Sequence, residues 1–385
     1  MQDSWLLDPT WNFLNHGSFG ARLASVHRHQ EKWRLQLEAQ PVRFFLDQYL
    51  PALDEARQAV SRLVGAESDD LAFVPNATYG VNSMLRSLDI KAGDEILVLD
   101  HAYGACRAAL DYLAQARGAR VVEVRLPFPC PGPEAVIEAM LQACGPRSRF
   151  ALIDAITSPT AWVLPLHDLV AALRSRGVES LVDAAHSPGM VKMDLDGCGA
   201  AFTTGNLHKW ICAPLGAAFV HVRSDFHQRL LPASLSHGLN LSGPRRWQEC
   251  FDWTGTFDPS AWLSVPFAIE ALSQLHPDGL PGLMRSNRKK ALLGADLLVE
   301  ELGLKRTCPA TMIGSMVSLI LPLEPVNVDH HLATDPLQRI LADEHRIEVP
   351  VLSFGGHRLL RISCQSHTTT QQIEALSGVL SGLLG

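Results

Sequence analysis

Lys209 is the residue whose setting most clearly favours covalent chemistry. It lies in the segment TGNLHKW (204–210), and the apolar residues ICAP (211–214) follow directly. An amine that is partly withdrawn from water has a lowered pKa, so it is competent to attack a carbonyl and form an imine. The same heptapeptide also fits an exposed lysine on a loop. The pattern therefore predicts a nucleophile only together with other groups.

A carboxylate ends a strand-like run upstream of that lysine. Asp183 closes the predicted strand 180–183, and Ala184, Ala185 and His186 follow it. A carboxylate buried at a strand end is costly unless it meets a cation. The protonated ring nitrogen of pyridoxal 5′-phosphate (PLP) is such a cation. A capping role at a helix or turn explains an Asp here equally well.

A third feature follows the predicted strand 71–74, where the segment PNATYGVN (75–82) is expected to start a helix near Thr78. The free N–H groups of a helix start, with a threonine hydroxyl, bind anions such as phosphate. An ordinary Asn or Thr N-cap gives the same pattern, and the segment matches neither GxxxxGK[ST] nor GxGxxG. Helix start, strand-end Asp and His-Lys nevertheless occur in the chain order of PLP enzymes with the aspartate aminotransferase fold.

Apolar strand-like runs alternate with helical patterns over most of the chain, which predicts βαβ units and a buried, mostly parallel sheet. In such sheets ligands bind beyond the carboxyl ends of the strands, where all three features lie. After about Trp262 the pattern changes to long helices and short strands, typical of an α+β unit. We therefore expect an N-terminal segment plus large domain over 1–262 and a small C-terminal domain over 263–385. The predicted strands are 71–74, 95–99, 121–124, 150–155, 180–183, 200–203, 216–222, 316–321, 348–352 and 358–363.

Composition excludes several classes of protein. The 385 residues carry a net charge of -7, which argues against a nucleic-acid binder. No apolar run has the length of a membrane helix. The first ten residues lack a signal pattern, so we expect a cytoplasmic protein. The eight cysteines are scattered without a CxxC pair, and neither they nor Asp329-His330-His331 predict a metal site.

Several motifs make the chain resemble the class V aminotransferase group of PLP enzymes, and within it the isopenicillin N epimerase-like branch. The resemblance implies the fold type I architecture, with a seven-stranded large domain, and PLP as cofactor. The motifs span nearly the whole chain: LNHGSFG (14–20), NAT (76–78), DHAYGA (100–105), TSPT (157–160), DAAH (183–186), GNLHKW (205–210), WTGTFDP (253–259) and RIS (361–363).

The resemblance implies a role for each matching residue. Lys209 is the Schiff-base lysine and proton shuttle, Asp183 pairs with the pyridine nitrogen, and His186 contacts the ring hydroxyl. Arg361 clamps the substrate α-carboxylate, a role that suits its planar, two-pronged donor geometry. The other implied roles are phosphate contacts from Ala77, Thr78, Asn206 and His208, ring stacking by His101 or by the preferred Tyr103, substrate contacts from Asn15 and His16, and a phosphate contact from Thr256 to the neighbouring subunit of a homodimer.

Three segments depart from the family pattern near the expected pocket. Gln365-Ser366-His367 replaces the usual Tyr-Asn after the final Arg-Ile-Ser. Ala155 follows Asp154 where relatives often carry His, and Leu215 stands where a basic residue is common. These departures leave the expected fold and cofactor intact but leave the substrate open.

The reaction has several interpretations that share deprotonation at Cα of an amino acid. The resemblance favours an epimerase or racemase; the alternative is a C–S β-lyase on a cysteine derivative, including the sulfoxide lyases, and a transaminase is a further one. A persulfide-forming cysteine desulfurase is disfavoured because the segment 343–348, before Arg361, has no Cys. A non-catalytic PLP sensor has little support, since no helix-turn-helix segment is visible.

Overall fold

The structure is a computed structural model that describes residues 5–326 and 334–384. Asp329-His330-His331 lies outside the described residues. The described strands are β1 (Asn12–Phe13), β2 (Leu71–Val74), β3 (Glu95–Leu99), β4 (Arg120–Val124), β5 (Ser148–Asp154), β6 (Glu179–Asp183), β7 (Phe202–Asn206), β8 (Ala218–Val222), β9 (Lys305–Arg306), β10 (Met316–Leu321), β11 (Ile347–Glu348), β12 (Val351–Phe354) and β13 (His357–Ser363).

Seven of these strands form the central sheet, in the order β2-β8-β7-β6-β5-β3-β4. Only β8 runs antiparallel to its neighbours, so the sheet is mostly parallel as expected. Side chains alternate between its two faces: Phe73 packs in the cluster of Leu53 and Val265, whereas Ala72 packs in the cluster of Met84. Burial on both faces explains why the strands are apolar throughout.

Helices cover both faces of this sheet and build most of the C-terminal part. They are α1 (His16–Phe19), α2 (Ala24–Ala39), α3 (Pro41–Arg43), α4 (Tyr49–Val64), α5 (Ala77–Arg86), α6 (Gly104–Arg117), α7 (Pro133–Ala143), α8 (Leu166–Ser175), α9 (Leu195–Cys198), α10 (Arg246–Asp252), α11 (Ser260–Leu263), α12 (Val265–Ser273), α13 (Gly279–Leu302), α14 (Pro336–His345) and α15 (Thr370–Leu384).

The C-terminal part contains a second, antiparallel sheet with the order β12-β13-β10-β9. A two-stranded parallel pair, β1 with β11, joins the start of the chain to this part. The N-terminal segment, which we expected to accompany the large domain, thus also contacts the C-terminal region. This pairing brings Asn15 close to Glu348.

Two proline residues divide elements that the sequence pattern predicts as continuous. The helical pattern of 261–275 predicts one continuous helix, but the structure splits it at Ser264 into α11 and α12, and Pro266 stands in the first turn of α12. The strand expected over 348–352 becomes the separate strands β11 and β12, with Pro350 between them. Proline lacks the N–H that a continuous helix or strand ladder needs. Among the described residues, no helix combines the length and the apolar character needed to cross a bilayer.

Candidate active site

A cleft of about 180 Å³ opens where the carboxyl ends of β5, β6 and β7 meet the start of α5. Asp154 and Asp183 are register partners at the ends of β5 and β6, and Asn206 ends β7. The side chains of parallel strand ends converge at one sheet edge, which is where such folds bind ligands. The cleft is lined by Ser18, Phe19, Asn76, Ala77, Thr78, Tyr103, Asp154, Ile156, Ser158, Asp183, Ala185, His186, Asn206, His208 and Lys209.

The backbone of Lys209 is fixed from two sides. Its carbonyl oxygen accepts hydrogen bonds from His16 Nε2 at 3.1 Å and from the Cys212 N–H at 3.2 Å. The N-terminal loop also approaches it at Gly20, whose φ is +72° and where a Cβ atom would lie 2.4 Å from the His208 carbonyl oxygen. Only glycine fits this position without strain. The loop therefore packs directly against the backbone that carries the lysine.

The Lys209 amine faces the cleft and contacts His186. Lys209 Nζ lies 3.3 Å from His186 Nε2, and Trp210 Nε1 donates to His186 Nδ1 at 3.4 Å. Because the indole can only donate, Nδ1 accepts and the proton of the neutral imidazole lies on Nε2. Burial, followed by the charges of Lys209 and Arg361, holds the pKa of His186 well below its ordinary value. A neutral His186 therefore presents an N–H to the lysine amine.

Burial also lowers the pKa of Lys209 to about 8, with the Arg361 cation as the next cause and Asp183 opposing both. The His186 Nε2–H, directed at Nζ, also favours the uncharged amine. An ammonium group has no lone pair and cannot accept this hydrogen bond. The neutral amine, which is the nucleophilic form, is thus accessible near neutral pH.

Two carboxyl groups lie at the floor of the cleft. Asp183 is 5% exposed and accepts hydrogen bonds from the Ala185 N–H at 3.0 Å and from Cys106 Sγ at 3.3 Å. Asp154 accepts from the Tyr103 N–H at 3.3 Å. Burial raises the pKa of both groups, and the Asp183 charge raises that of Asp154 further, well above its usual value. Two adjacent buried carboxyl groups disfavour double ionisation, so Asp154 is the one that holds a proton.

The start of α5 is arranged differently from the expectation at one residue. Asn76 caps the helix by accepting from the Tyr79 N–H at 2.8 Å. The Ala77 N–H, expected to bind phosphate, instead donates to Asn206 Oδ1 at 2.8 Å. Asn206 ends β7, and its side chain lies within hydrogen-bond distance of this N–H. Thr78 lines the cleft. His208 also lines it, while its Nδ1–H donates to the Ala217 carbonyl.

Arg361 lies beside the cleft, on β13, with a guanidinium group that is buried. It donates to the Ser158 carbonyl oxygen and, at 3.2 Å, to Ser18 Oγ, and both of these serines line the cleft. Within the described residues no carboxylate forms a salt bridge with it. Burial lowers its pKa to about 10, so it remains a cation at neutral pH. An unpaired buried cation is a site for an anionic ligand group.

Several residues expected in the site do not line the cleft. His101 is fully buried, bonded to Asp100 Oδ1 at 2.6 Å and packed on Trp162 and Phe354, so Tyr103 is the ring at the cleft. His16 is turned toward the Lys209 carbonyl and His367. Asn15 and Thr256 do not line the cleft either. Asn15 is hydrogen-bonded to Glu348 and Ser18, and Thr256 is exposed.

The set of donors at the cleft fits PLP. An amine, a buried carboxylate without a salt bridge in the described residues and a capped helix start are matched to its aldehyde, its ring nitrogen and its phosphate. Lys209, Asp183 and Thr78 are the residues that would hold those three groups.

Sequence reasoning did not single out some residues that the structure brings to the site. Asp154 lies near the end of the predicted strand 150–155, as Asp183 lies at the end of the strand 180–183, so the strand-end rule applies to it as well. Ser18 and Ser158 lie in the quoted motifs but gain meaning only from their contacts with Arg361. Trp210 ends the quoted motif GNLHKW and Cys106 lies in none of the motifs, but the pattern reveals neither role, because these roles depend on bonds to His186 and Asp183.

Comparison with known proteins gives concordant similarities. The family model "Aminotransferase class-V" matches residues 43–263. The isopenicillin N epimerase of Streptomyces clavuligerus is 32% identical over 99% of the chain and 96% of that protein. A protein of Arabidopsis thaliana named "Probable L-cysteine desulfhydrase, chloroplastic" is 31% identical over 98% of the chain and 84% of its own length. The solved complex of the cystine C–S lyase C-DES with cysteine persulfide has a TM-score of 0.84 at 18% identity, covering 97% of the chain and 98% of that structure.

Proposed function

The chain belongs to the class V aminotransferase family of PLP-dependent enzymes, and we propose that it removes the α-proton of a small L-amino acid and then expels a sulfur group from Cβ. The observation that carries this proposal is the Lys209 amine, which faces a small cleft beside Asp183 and the Arg361 cation. When bound, PLP withdraws electrons from the substrate α-carbon and makes its proton acidic. The proposed substrate is a cysteine-type amino acid.

Each of the three charged residues has a role in this proposal. Lys209 holds the cofactor covalently and, once released by the incoming amine, takes the α-proton on Nζ. Asp183 keeps the ring nitrogen protonated, since no salt bridge within the described residues neutralises its buried carboxylate. Arg361 binds the α-carboxylate of the substrate and so fixes which bond faces Nζ. His186, which is neutral and accepts a hydrogen bond from Trp210, directs its Nε2–H toward Lys209 Nζ.

The relatives named L-cysteine desulfhydrase favour a small substrate that carries a sulfur leaving group on Cβ. Elimination breaks the Cβ–S bond, and the sulfur departs with the electron pair, as sulfide from cysteine, as a thiol from an S-alkyl cysteine or as a sulfenic acid from a sulfoxide. Water then hydrolyses the released enamine to pyruvate and ammonia, so the reaction needs no oxidant or reductant.

A cysteine desulfurase reaction remains disfavoured. Such an enzyme needs a cysteine thiolate that reaches the substrate sulfur, and no cysteine lines the cleft among the described residues. Cys106 lies near the site, but it is buried behind Asp183, where burial raises its pKa.

Epimerisation is the second candidate, favoured by one feature of the cleft. Tyr103 lines the cleft and is 47% exposed, so it offers a second acid–base group apart from Lys209. An epimerase needs two such groups, one for each face of the α-carbon. The isopenicillin N epimerases among the relatives are consistent with this hypothesis.

Incubating the holoenzyme in D₂O with L-cysteine, an S-alkyl cysteine, its sulfoxide and L-alanine tests the proposal. We expect α-deuterium in recovered L-alanine, and pyruvate with ammonia from at least one sulfur substrate. The variant Lys192→Ala, at an exposed lysine, should behave like the wild type. Lys209→Ala should catalyse neither α-deuterium exchange nor pyruvate release. Deuterated, racemised substrate without pyruvate selects the epimerase, and no exchange at any α-proton contradicts both.

A further inference from the structure

Behind Arg361 lies a row of three polar side chains, contributed by the N-terminal segment and by β11. Glu348 Oε1 accepts from Asn15 Nδ2 at 2.9 Å, Asn15 Oδ1 accepts from Ser18 Oγ at 2.6 Å, and Ser18 Oγ accepts from Arg361 at 3.2 Å. The row exists because β1 pairs with β11, which places Glu348 beside the residue that follows β1 by two positions. We refer to Glu348, Asn15 and Ser18 as the relay.

The chemistry of Glu348 sets the direction of every bond in the relay. An ionised carboxylate only accepts hydrogen bonds, so Asn15 must turn its NH₂ toward Glu348 and its carbonyl oxygen toward Ser18. An amide oxygen also only accepts, so the Ser18 proton lies on the line to Asn15. The lone pairs of Ser18 are then left for the Arg361 guanidinium. With the amide reversed, Ser18 would direct its proton toward a cation.

Arg361 depends on this arrangement because few other groups hold it. Its remaining bonds run to Ser158, its Nε has no hydrogen-bond partner among the described residues, and no carboxylate there neutralises it. Ser18 and Ser158 hold the guanidinium from two sides at the wall of the cleft. Uncharged serine partners fix its orientation without consuming its charge, which remains available for an anion.

We propose that Glu348 and Asn15 are positioning residues that act through Ser18 to orient Arg361 for the substrate α-carboxylate. The proposal rests on the proposed function, since it assumes a carboxylate-bearing amino acid as ligand. It also gives the N-terminal segment a functional role. Asn15, expected to line the pocket, instead acts on the ligand through two intervening residues, Ser18 and Arg361.

A pair of amine ligands isolates the carboxylate. L-alanine and ethylamine both carry the amine that exchanges with Lys209, but only L-alanine carries the carboxylate. Titrating holoenzyme with each and following the absorbance of the bound cofactor gives two affinities. We expect Ser18→Ala and Glu348→Ala each to weaken L-alanine binding about tenfold, the size of one hydrogen bond to a charged group, and to leave ethylamine binding within about twofold.

Coupling between the positions distinguishes a relay from separate structural roles. The double variant Ser18→Ala with Glu348→Ala should be no worse than Ser18→Ala alone, because the relay is already interrupted. Glu348→Gln retains an oxygen acceptor and should restore most of the affinity lost in Glu348→Ala. The exposed Glu344, four positions away, provides the matched control Glu344→Ala, for which no change is expected.

The outcomes separate the two proposals. If wild-type holoenzyme does not prefer L-alanine over ethylamine, the proposed function and the relay both fail. If the wild type prefers L-alanine but the variants keep the full preference, or lose affinity for both ligands equally, only the relay is overturned. Additive losses in the double variant would overturn it as well. Cofactor content of each variant, measured after denaturation, identifies any variant that fails to fold.

Discussion

At the scale of single residues, the site depends on how its buried charges are balanced. Lys209 and Arg361 are two cations near one cleft, and Asp183 and Asp154 are two carboxyl groups at its floor. Each pair of like charges shifts one member toward its neutral form: the lysine loses its proton more easily, and Asp154 keeps its own. The cleft therefore combines a neutral amine on Lys209, a neutral acid on Asp154, the Asp183 anion and the Arg361 cation.

This balance predicts a pH dependence for cofactor loading. Because only the neutral amine attacks the PLP aldehyde, loading of the apoenzyme should rise with pH up to about 8 and then level off, following the lowered pKa of Lys209. Arg361→Gln removes a cation that lowers this pKa, so the curve should move to higher pH. Asp183→Asn removes a group that raises it, so the curve should move to lower pH. Stopped-flow absorbance on apoenzyme gives each curve, and equal midpoints in all three proteins would contradict the assignment.

The sequence singled out three of these four residues, but not Asp154 and not the contacts that surround them. Lys209, Asp183 and Arg361 stand out by residue type and by their position after a strand or in a motif. The environment of His101 does not follow from such a pattern: its bond to Asp100 is local, but its packing against Trp162 and Phe354 joins residues far apart in the chain. The same holds for Asn15 and His16, whose partners Glu348 and His367 follow more than three hundred residues later.

At the scale of elements, the strand ends place the groups and the loops fix their orientation. The predicted strands 71–74, 95–99 and 316–321 agree with the structure to the residue, because their apolar runs end sharply at the following turns. Elements that contain proline were predicted as continuous and are divided, since an apolar periodicity carries no information about a missing N–H. The loop at Gly20 had no predicted role, although it packs on the backbone of the lysine.

Replacing glycine by alanine should have opposite effects on stability at Gly20 and at Gly378. Gly20→Ala should destabilise the protein by about 1–3 kcal/mol and weaken PLP retention, because φ is +72° and the new Cβ meets the His208 carbonyl. Gly378→Ala is the matched control: Gly378 is exposed within α15 and nothing lies near its Cβ position, so this variant should gain about 0.5–1 kcal/mol. Denaturant unfolding of the holoenzymes measures both. A Gly20→Ala variant as stable as the wild type would contradict the close packing.

At the scale of the whole molecule, the N-terminal segment and the C-terminal part meet at the site. The β1–β11 pair holds the N-terminal segment against the C-terminal part, and the short helix α1 that follows β1 supplies Ser18 and Phe19 to the cleft. Phe19 and Tyr103 line the cleft although their exposed fractions are 76% and 47%. Exposed aromatic rings at a cleft mouth are consistent with the homodimer that we expect, in which a second copy covers them.

The expected dimer predicts a role for Thr256, which is exposed in the single chain. If Thr256 contacts the cofactor phosphate of the partner subunit, Thr256→Ala should weaken PLP affinity about tenfold. Refolding a mixture of Thr256→Ala and Lys209→Ala chains should give activity above either parent at a PLP concentration too low to load the Thr256→Ala protein, because each mixed dimer has one site with both residues intact. A mixture whose activity is no higher than its share of Thr256→Ala chains accounts for would contradict a shared site. A monomer in sedimentation would contradict the dimer.

Covalent trapping tests most directly whether Lys209 holds the cofactor. Borohydride reduction of the holoenzyme, followed by digestion and mass spectrometry, should place the reduced cofactor on the peptide that contains Lys209 and on no other lysine. Lys209→Ala should yield no labelled peptide and should lose the visible absorbance band, while Lys192→Ala retains both. Label on another lysine, or an unchanged band in Lys209→Ala, would contradict the assignment of Lys209 as the covalent anchor.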